Sequence, residues 1–191
     1  MRASASHDIV FHDTPVALDH AARLEPLGSP TAGLRDPLTV GWMNVLLSSV
    51  YLGVATAARH WLVGYLNERT PSNLGAPLAS LPRFQSEVGE IEALQLTSER
   101  LLDGLARELD AGGAQAARVA ADASLAKAVV SRNAIEVAER ALKLTGNPGL
   151  SHRNPLQRHY RDALCSRIHT PQEDTVMVAS GKAALDLLRD T

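Results

Sequence analysis

Between Asp36 and Leu144 the chain is broken in only two places: Glu68-Arg69-Thr70-Pro71-Ser72-Asn73-Leu74-Gly75-Ala76-Pro77 and Gly112-Gly113. Uninterrupted stretches of about 30 residues predict helices about 45 Å long at about 1.5 Å of rise per residue. Helices this long exceed the needs of a small globule. They predict a bundle that shares its faces with other subunits.

The first stretch has Asp36 as a cap and Pro37 in the first turn, where a missing N–H costs nothing. It should run to about Asn67 and is apolar almost all round, which predicts burial on several sides. Its most apolar run, Val45 to Val63, contains Ser48, Ser49, Thr56, Arg59 and His60, so a buried helix is expected rather than a membrane span. Gly53 and Ala57, four apart, would let another backbone approach closely. Ser80 should cap the second helix, whose stripe is Phe84, Val88, Ile91, Leu94, Leu101, Leu105 and Leu109. The third runs from about Ala114 to Leu144 with a stripe of Val119, Ala123, Ala126, Val130, Ala134, Val137, Ala141 and Leu144, and Gly146 is its C-cap. Two shorter helices follow, opened by Asn154-Pro155-Leu156-Gln157 and by a capping box, Thr170-Pro171-Gln172-Glu173; the last runs to about Arg189. The expected fold is all-α, an up-and-down four-helix bundle over residues 36–191. Residues 1–35 form a separate head, in which Asp8-Ile9-Val10-Phe11-His12 reads as a strand before a Pro15 turn. A lone strand leaves its ladder groups unpaired, so the head reads as the remnant of another folded unit.

Composition narrows the function. A chain of 191 residues with 45% hydrophobic and 21% charged residues holds one cored domain. A net charge of -2 and 4% aromatics argue against nucleic acid as a partner. A single Cys165 excludes a disulfide framework and a Cys-rich metal site. No Glu is followed by His three residues later, as a di-metal bundle requires. His7 and His12 would point to opposite faces of a strand. No metal site is therefore expected. Ser180-Gly181-Lys182 lacks the upstream glycine of a phosphate loop, having Val176 there. Met1 leads into a polar stretch rather than an apolar signal core, so a cytoplasmic protein without membrane partners is expected. Glu136 and Glu139 should pair with Arg132 and Arg140 along the third helix.

The segment Arg153–Asp174 is densest in chemistry, with Arg153, Arg158, Arg161, Arg167, His159 and His169. Arginine forks suit phosphate or carboxylate, and His169 precedes a helix N-terminus. The plainer reading is a loop histidine beside a helix held by ion pairs.

Thr145-Gly146-Asn147-Pro148-Gly149-Leu150, Arg158-His159-Tyr160-Arg161-Asp162-Ala163 and Ile168-His169-Thr170, in that order, resemble the C-terminal helical domain of the acyl-CoA dehydrogenase superfamily. Met1 to Phe11 resembles the last strand of that family's middle β-domain. The resemblance implies a flavoprotein oxidoreductase with FAD (or FMN) at a site shared between subunits. It also implies a homo-oligomer, dimer or tetramer, and further domains or a second chain that supplies the N-terminal and β-domains. By position, Arg69 matches the family's Arg that reaches the flavin pyrophosphate of a neighbouring subunit, in a loop that is longer here. Phe84 and Gln85 match its contacts at the start of the second helix. Gly146 and Gly149 keep the outer glycines of its Gly-Gly-x-Gly turn, with Asn147 able to take a left-handed conformation. The family's catalytic Glu follows a Tyr; here His169 is followed by Thr170, which cannot serve as a base. A histidine at this turn resembles the flavin-dependent monooxygenase branch, which makes His169 the catalytic candidate, with Arg161 and Asp162 supporting the turn. The alternative is a non-catalytic helical oligomerisation or assembly module, or a truncated inactive relic.

Overall fold

The computed structural model describes residues 7–20 and 36–186. The chain divides into two units, Met1–Asp36 and Pro37–Thr191. In the first, residues 8–11 form no strand. A ladder needs a second strand, and none exists among the described residues. Ile9, Val10 and Phe11 are exposed, and a short 3₁₀ turn spans Leu18–His20.

The second unit is all helical. Three long helices run up, down and up: α1 Pro37–Glu68, α2 Pro82–Ala111 and α3 Ala116–Thr145. They are followed by a single turn, α4 Asn147–Leu150, then α5 Leu156–Leu164 and α6 Glu173–Asp186. α5 packs against α1 and α3, and α6 packs against α3, so the two short helices complete the bundle. α6 is described only as far as Asp186; the expected end at Arg189 lies outside the described residues.

The long helices form because their apolar residues recur at three and four. The core divides along their length. Near the α1 C-terminus, Tyr51, Ala55, Ala58, Leu62 and Leu66 meet Ile91, Ala134, Val137, Ala138, Ala141 and Leu156. At the other end Val45 meets Leu102, Leu105, Leu109, Val119, Ala123, Ala126 and Val130. Each wholly buried Leu contributes about 1.5–3 kcal/mol relative to exposure. The many alanines on α3 leave little side chain between axes, which brings α1 and α3 close. At Gly41 an added Cβ would lie 2.5 Å from Leu109 Cδ2, so α1 also seats a neighbouring side chain on bare backbone.

Burial of α1 on several sides is not what this chain provides. It buries one stripe, while Leu46 and Val50 are both 61% exposed. The space around Gly53 is open, so among the described residues no backbone uses the approach that Gly53 and Ala57 offer. On length and composition alone α1 would be able to cross a membrane, yet its buried stripe carries the core of the bundle.

Three caps differ from expectation. Ser80 closes a 3₁₀ turn, Leu78–Ser80, by donating to Pro77 O (2.7 Å). Leu81 is the N-cap of α2, because Pro82 forces the residue before it to be extended and itself suits the first helical position. Asn154 donates to Pro148 O (2.6 Å) and ties α4 to the start of α5 rather than capping α5. The Thr170 capping box does not form: α6 begins at Glu173, three residues beyond Thr170, and the Glu173 carboxylate pairs with Arg132. Gly146 does close α3, at φ 62°, with its N–H bonded to Leu142 O. Asn147 is not left-handed; it opens α4.

Candidate functional site

The antiparallel order puts the C-terminal ends of α1 and α3 and the N-terminal end of α2 together. Arg69, Phe84, Gln85, Gly146 and Gly149 therefore share one end of the bundle. Arg69 follows the last turn of α1, and its carbonyl accepts from Leu78 N (3.0 Å), which closes the loop between α1 and α2. Its side chain is exposed and has no partner among the described residues. Phe84 is half-buried on the core, and Gln85 donates to Ala79 O (3.0 Å). Both line a cleft of about 250 Å³ with Val63, Leu66, Asn67, Ala79 and Val88. Gly146 has open space where a side chain would be, whereas Gly149 is buried and a Cβ there would sit 2.1 Å from Thr145 Oγ1. The bare backbone at Gly149 is thus used for packing within the chain.

These features fit part of a flavin dinucleotide. A partner-free guanidinium suits its phosphates, the apolar cleft beside it suits a flat ring, and the open Gly146 turn leaves backbone accessible. No enclosed cavity among the described residues surrounds such a group.

His169 lies elsewhere. Its Nδ1 meets the hydroxyl of Tyr51, in the middle of α1, and the two rings are 5.8 Å apart at 47°. Tyr51 and Arg69 are 18 residues apart, or about 27 Å along a helical path at about 1.5 Å per residue. The structure therefore does not bring His169 to the Arg69 end.

The backbone that carries His169 is held by Lys127, from the middle of α3. Lys127 is 2% exposed and its ammonium donates to His169 O (2.5 Å), Pro171 O (2.7 Å) and, more weakly, Ser166 O (3.4 Å). Three carbonyls satisfy all three of its protons. Burial pushes the Lys127 ammonium below its usual range, with nearby Glu173 opposing the shift. Burial pushes the Tyr51 hydroxyl up to about 12, with Cys165 and Asp162 adding to it. Tyr51 thus stays a neutral donor at physiological pH.

Neither Lys127 nor Tyr51 was expected from sequence as a site residue. One signal existed: Lys127 interrupts the Ala-Val stripe of α3 at a position flanked by Ala126 and Ala128, where a cation needs buried partners. Tyr51 is one more apolar residue of α1 until the fold sets His169 against it.

Ion pairs fix the surrounding helices. Arg140 bridges Glu136 on α3 (2.7 Å) and Glu87 on α2 (2.9 Å), and Arg59 reaches Glu92 (2.6 Å). Arg132 takes Glu173 of α6 (2.5 Å) instead of Glu136, and Glu139 takes Lys143 (2.9 Å). Glu173 therefore faces α3 and not its own backbone. An open, polar cleft of about 680 Å³ lies beside this pair, lined by Ile135, Glu136, Glu139, Arg167, Gln172 and Asp174 among others.

The model of the acyl-CoA dehydrogenase C-terminal domain matches residues 45–173. A Bacillus subtilis protein assigned to the acyl-CoA dehydrogenases, YdbM, is 32% identical over 177 residues, covering 93% of this chain and 44% of that protein. The L-evernosamine nitrososynthase of a Micromonospora strain is 29% identical, covering 100% of this chain and 45% of the relative. Among solved structures, butyryl-CoA dehydrogenase from Megasphaera elsdenii matches with a TM-score of 0.69 at 23% identity, over 78% of this chain and 37% of that one. The chain spans less than half the length of these relatives. With its up-down-up helices and the family match running from α1 to the first residue of α6, this chain belongs to the acyl-CoA dehydrogenase C-terminal domain family.

Proposed function

We propose that the chain serves as the helical C-terminal part of an acyl-CoA dehydrogenase-like flavoprotein oxidoreductase, and that its chemistry is that of a reduced-flavin-dependent monooxygenase. The observation that carries this reading is His169, anchored by Tyr51 at the turn where the family places its carboxylate base, with Thr170 beside it. Alpha-proton abstraction needs a positioned base, and a threonine hydroxyl is too weak to act as one. A nitrososynthase stands among the relatives beside the dehydrogenases, which supports a chemistry other than acyl-CoA dehydrogenation.

The flavin, FAD or FMN, supplies electron transfer and, when reduced, reaction with oxygen. Arg69 would hold its phosphates, Phe84 and Gln85 its flat surface, and the Gly146–Gly149 turn would approach through backbone. His169 is a second, separate contact: a neutral imidazole presents one N–H donor and one acceptor nitrogen, whereas an ionised carboxylate presents acceptors alone. The span of about 27 Å between the levels of His169 and Arg69 supports a homo-oligomer in which one chain serves two flavin sites. The exposed Leu46 and Val50 beside open Gly53 supply a face for such a partner. A second polypeptide, or further domains, would complete the pocket.

The test is reconstitution of the chain with flavin and the polypeptide that supplies the β- and N-terminal domains. The wild-type assembly is expected to be yellow, to consume oxygen with a reductant and to leave an acyl-CoA unchanged. His169→Ala should lower the oxygenated product formed per reduced flavin oxidised by about 10²–10⁴-fold. Conversion of an acyl-CoA to its enoyl product by the wild type, or unaltered product yield in the variant, refutes the reading. A colourless assembly without flavin affinity would leave an assembly module as the function.

A further inference from the structure

His169 hangs from a turn that would have little to hold it. Residues 165–172 contain one 3₁₀ turn, Cys165–Arg167, and Ile168 and Thr170 are exposed. Two side chains from two long helices compensate. Lys127 fixes the carbonyls of Ser166, His169 and Pro171, which sets the path of the backbone on both sides of the histidine. Tyr51 takes up Nδ1 of the ring itself. Both anchors sit on helices with fixed axes, so the imidazole inherits the rigidity of the bundle and not that of its loop.

We propose that Tyr51 is a positioning residue for His169: its hydroxyl donates to Nδ1, so that the neutral imidazole carries its single proton on Nε2, pointed away from α1, while Lys127 holds the turn in register. The assignment of donor and acceptor follows from chemistry. A neutral phenol in a buried position donates its proton to the nearest acceptor, and imidazole offers one acceptor nitrogen when uncharged. The opposite arrangement, Nδ1–H donating to the phenol oxygen, would turn the buried hydroxyl proton away from the imidazole, the ring that faces it. The second-partner logic is general: the group bound at one imidazole nitrogen decides what the other can do. Here it makes Nε2 a donor.

This rests on the proposed role of His169, but its test does not. Record long-range ¹H–¹⁵N spectra of the ring nitrogens in the purified 191-residue chain above the imidazole titration, using His169→Gln to identify the signal. The wild type is expected to show one tautomer, Nε2–H, and a slowly exchanging Tyr51 hydroxyl proton near Nδ1. Tyr51→Phe, which keeps the ring packing, should replace this with the averaged tautomer mixture of a free imidazole. Lys127→Met should broaden the His169 signals with Tyr51 intact. An Nδ1–H tautomer in the wild type overturns the proposal, as does an unchanged spectrum in Tyr51→Phe. The wild-type measurement decides the matter even if a variant fails to fold. If the tautomer is as stated while His169→Ala leaves product yield untouched in the assembled enzyme, the reading of His169 as catalytic fails and the positioning by Tyr51 stands.

Discussion

The turn at 165–172 and the loop at 69–81 both connect helices of the same bundle, yet they are built in opposite ways. The turn is pinned from outside by Lys127 and Tyr51, reaching it from the middles of α3 and α1. The loop is held by its own backbone, through Leu74 N to Pro71 O (3.0 Å) and Leu78 N to Arg69 O (3.0 Å), and its cation faces solvent. The first is finished within one chain. The second presents a charged group and an apolar cleft, and nothing among the described residues covers them. The difference suits the proposed roles: preorganisation would matter for a proton aimed by His169, and less for an anion gripped by the long, flexible Arg69.

The comparison can be broken most decisively at Lys127. Lys127→Met keeps most of the volume but leaves two short-bonded carbonyls, of His169 and Pro171, unpaired in a partly buried place. The expected loss is about 2–4 kcal/mol, read from the urea midpoint. The pH dependence sharpens it. Because burial lowers the Lys127 value below 10.5, the folded state releases this proton before the unfolded state does. Stability from this group therefore rises as pH climbs towards 10.5 and falls again as pH drops through the folded value. Lys127→Met should remove that slope; an unchanged slope would mean that the ammonium is not the buried group described.

A smaller effect is expected at the other end of the bundle. Gly149→Ala puts a Cβ 2.1 Å from Thr145 Oγ1 and 3.2 Å from Leu156 Cδ2, at the joint between α3, α4 and α5. Overpacking of this kind costs about 1–3 kcal/mol. The neighbouring Arg69→Ala should move the folding midpoint least, by no more than about 0.5 kcal/mol, since its side chain has no partner among the described residues. In the reconstituted assembly the same change should weaken flavin retention by about tenfold or more, the equivalent of one lost charge-assisted contact. A large stability loss in the isolated chain would place Arg69 with the pinned turn instead of the open loop.

The helices were legible because their evidence is local. The stripes of α2 and α3, the Gly112-Gly113 break and the Gly146 closure are periodicity and backbone preference, and both operate within a few residues. Caps were less legible. Ser80, Asn154 and Thr170 each have the chemistry of a cap, but Pro82 set the start of α2 with Leu81 as its cap, α6 begins three residues beyond Thr170, and the Asn154 side chain is engaged as a donor to Pro148 O. The candidate strand at 8–12 shows the limit in its simplest form: a short β-prone run before a turn describes what a segment can do, and a ladder exists only when a second segment meets it.

The same division runs through the site. Sequence alone determined that His169 sits in a turn between two helices and that Arg69 follows the first long helix; the family resemblance added the expectation that Thr170 stands in place of a carboxylate. Only the tertiary structure decided that Tyr51, 118 positions away, closes on His169, that Lys127 is buried against its carbonyls, and that Arg69 is far from both. The reason is physical. A helix or a turn is fixed by contacts three or four residues apart, whereas a buried cation or a phenol finds its acceptor only after the helices have chosen their axes.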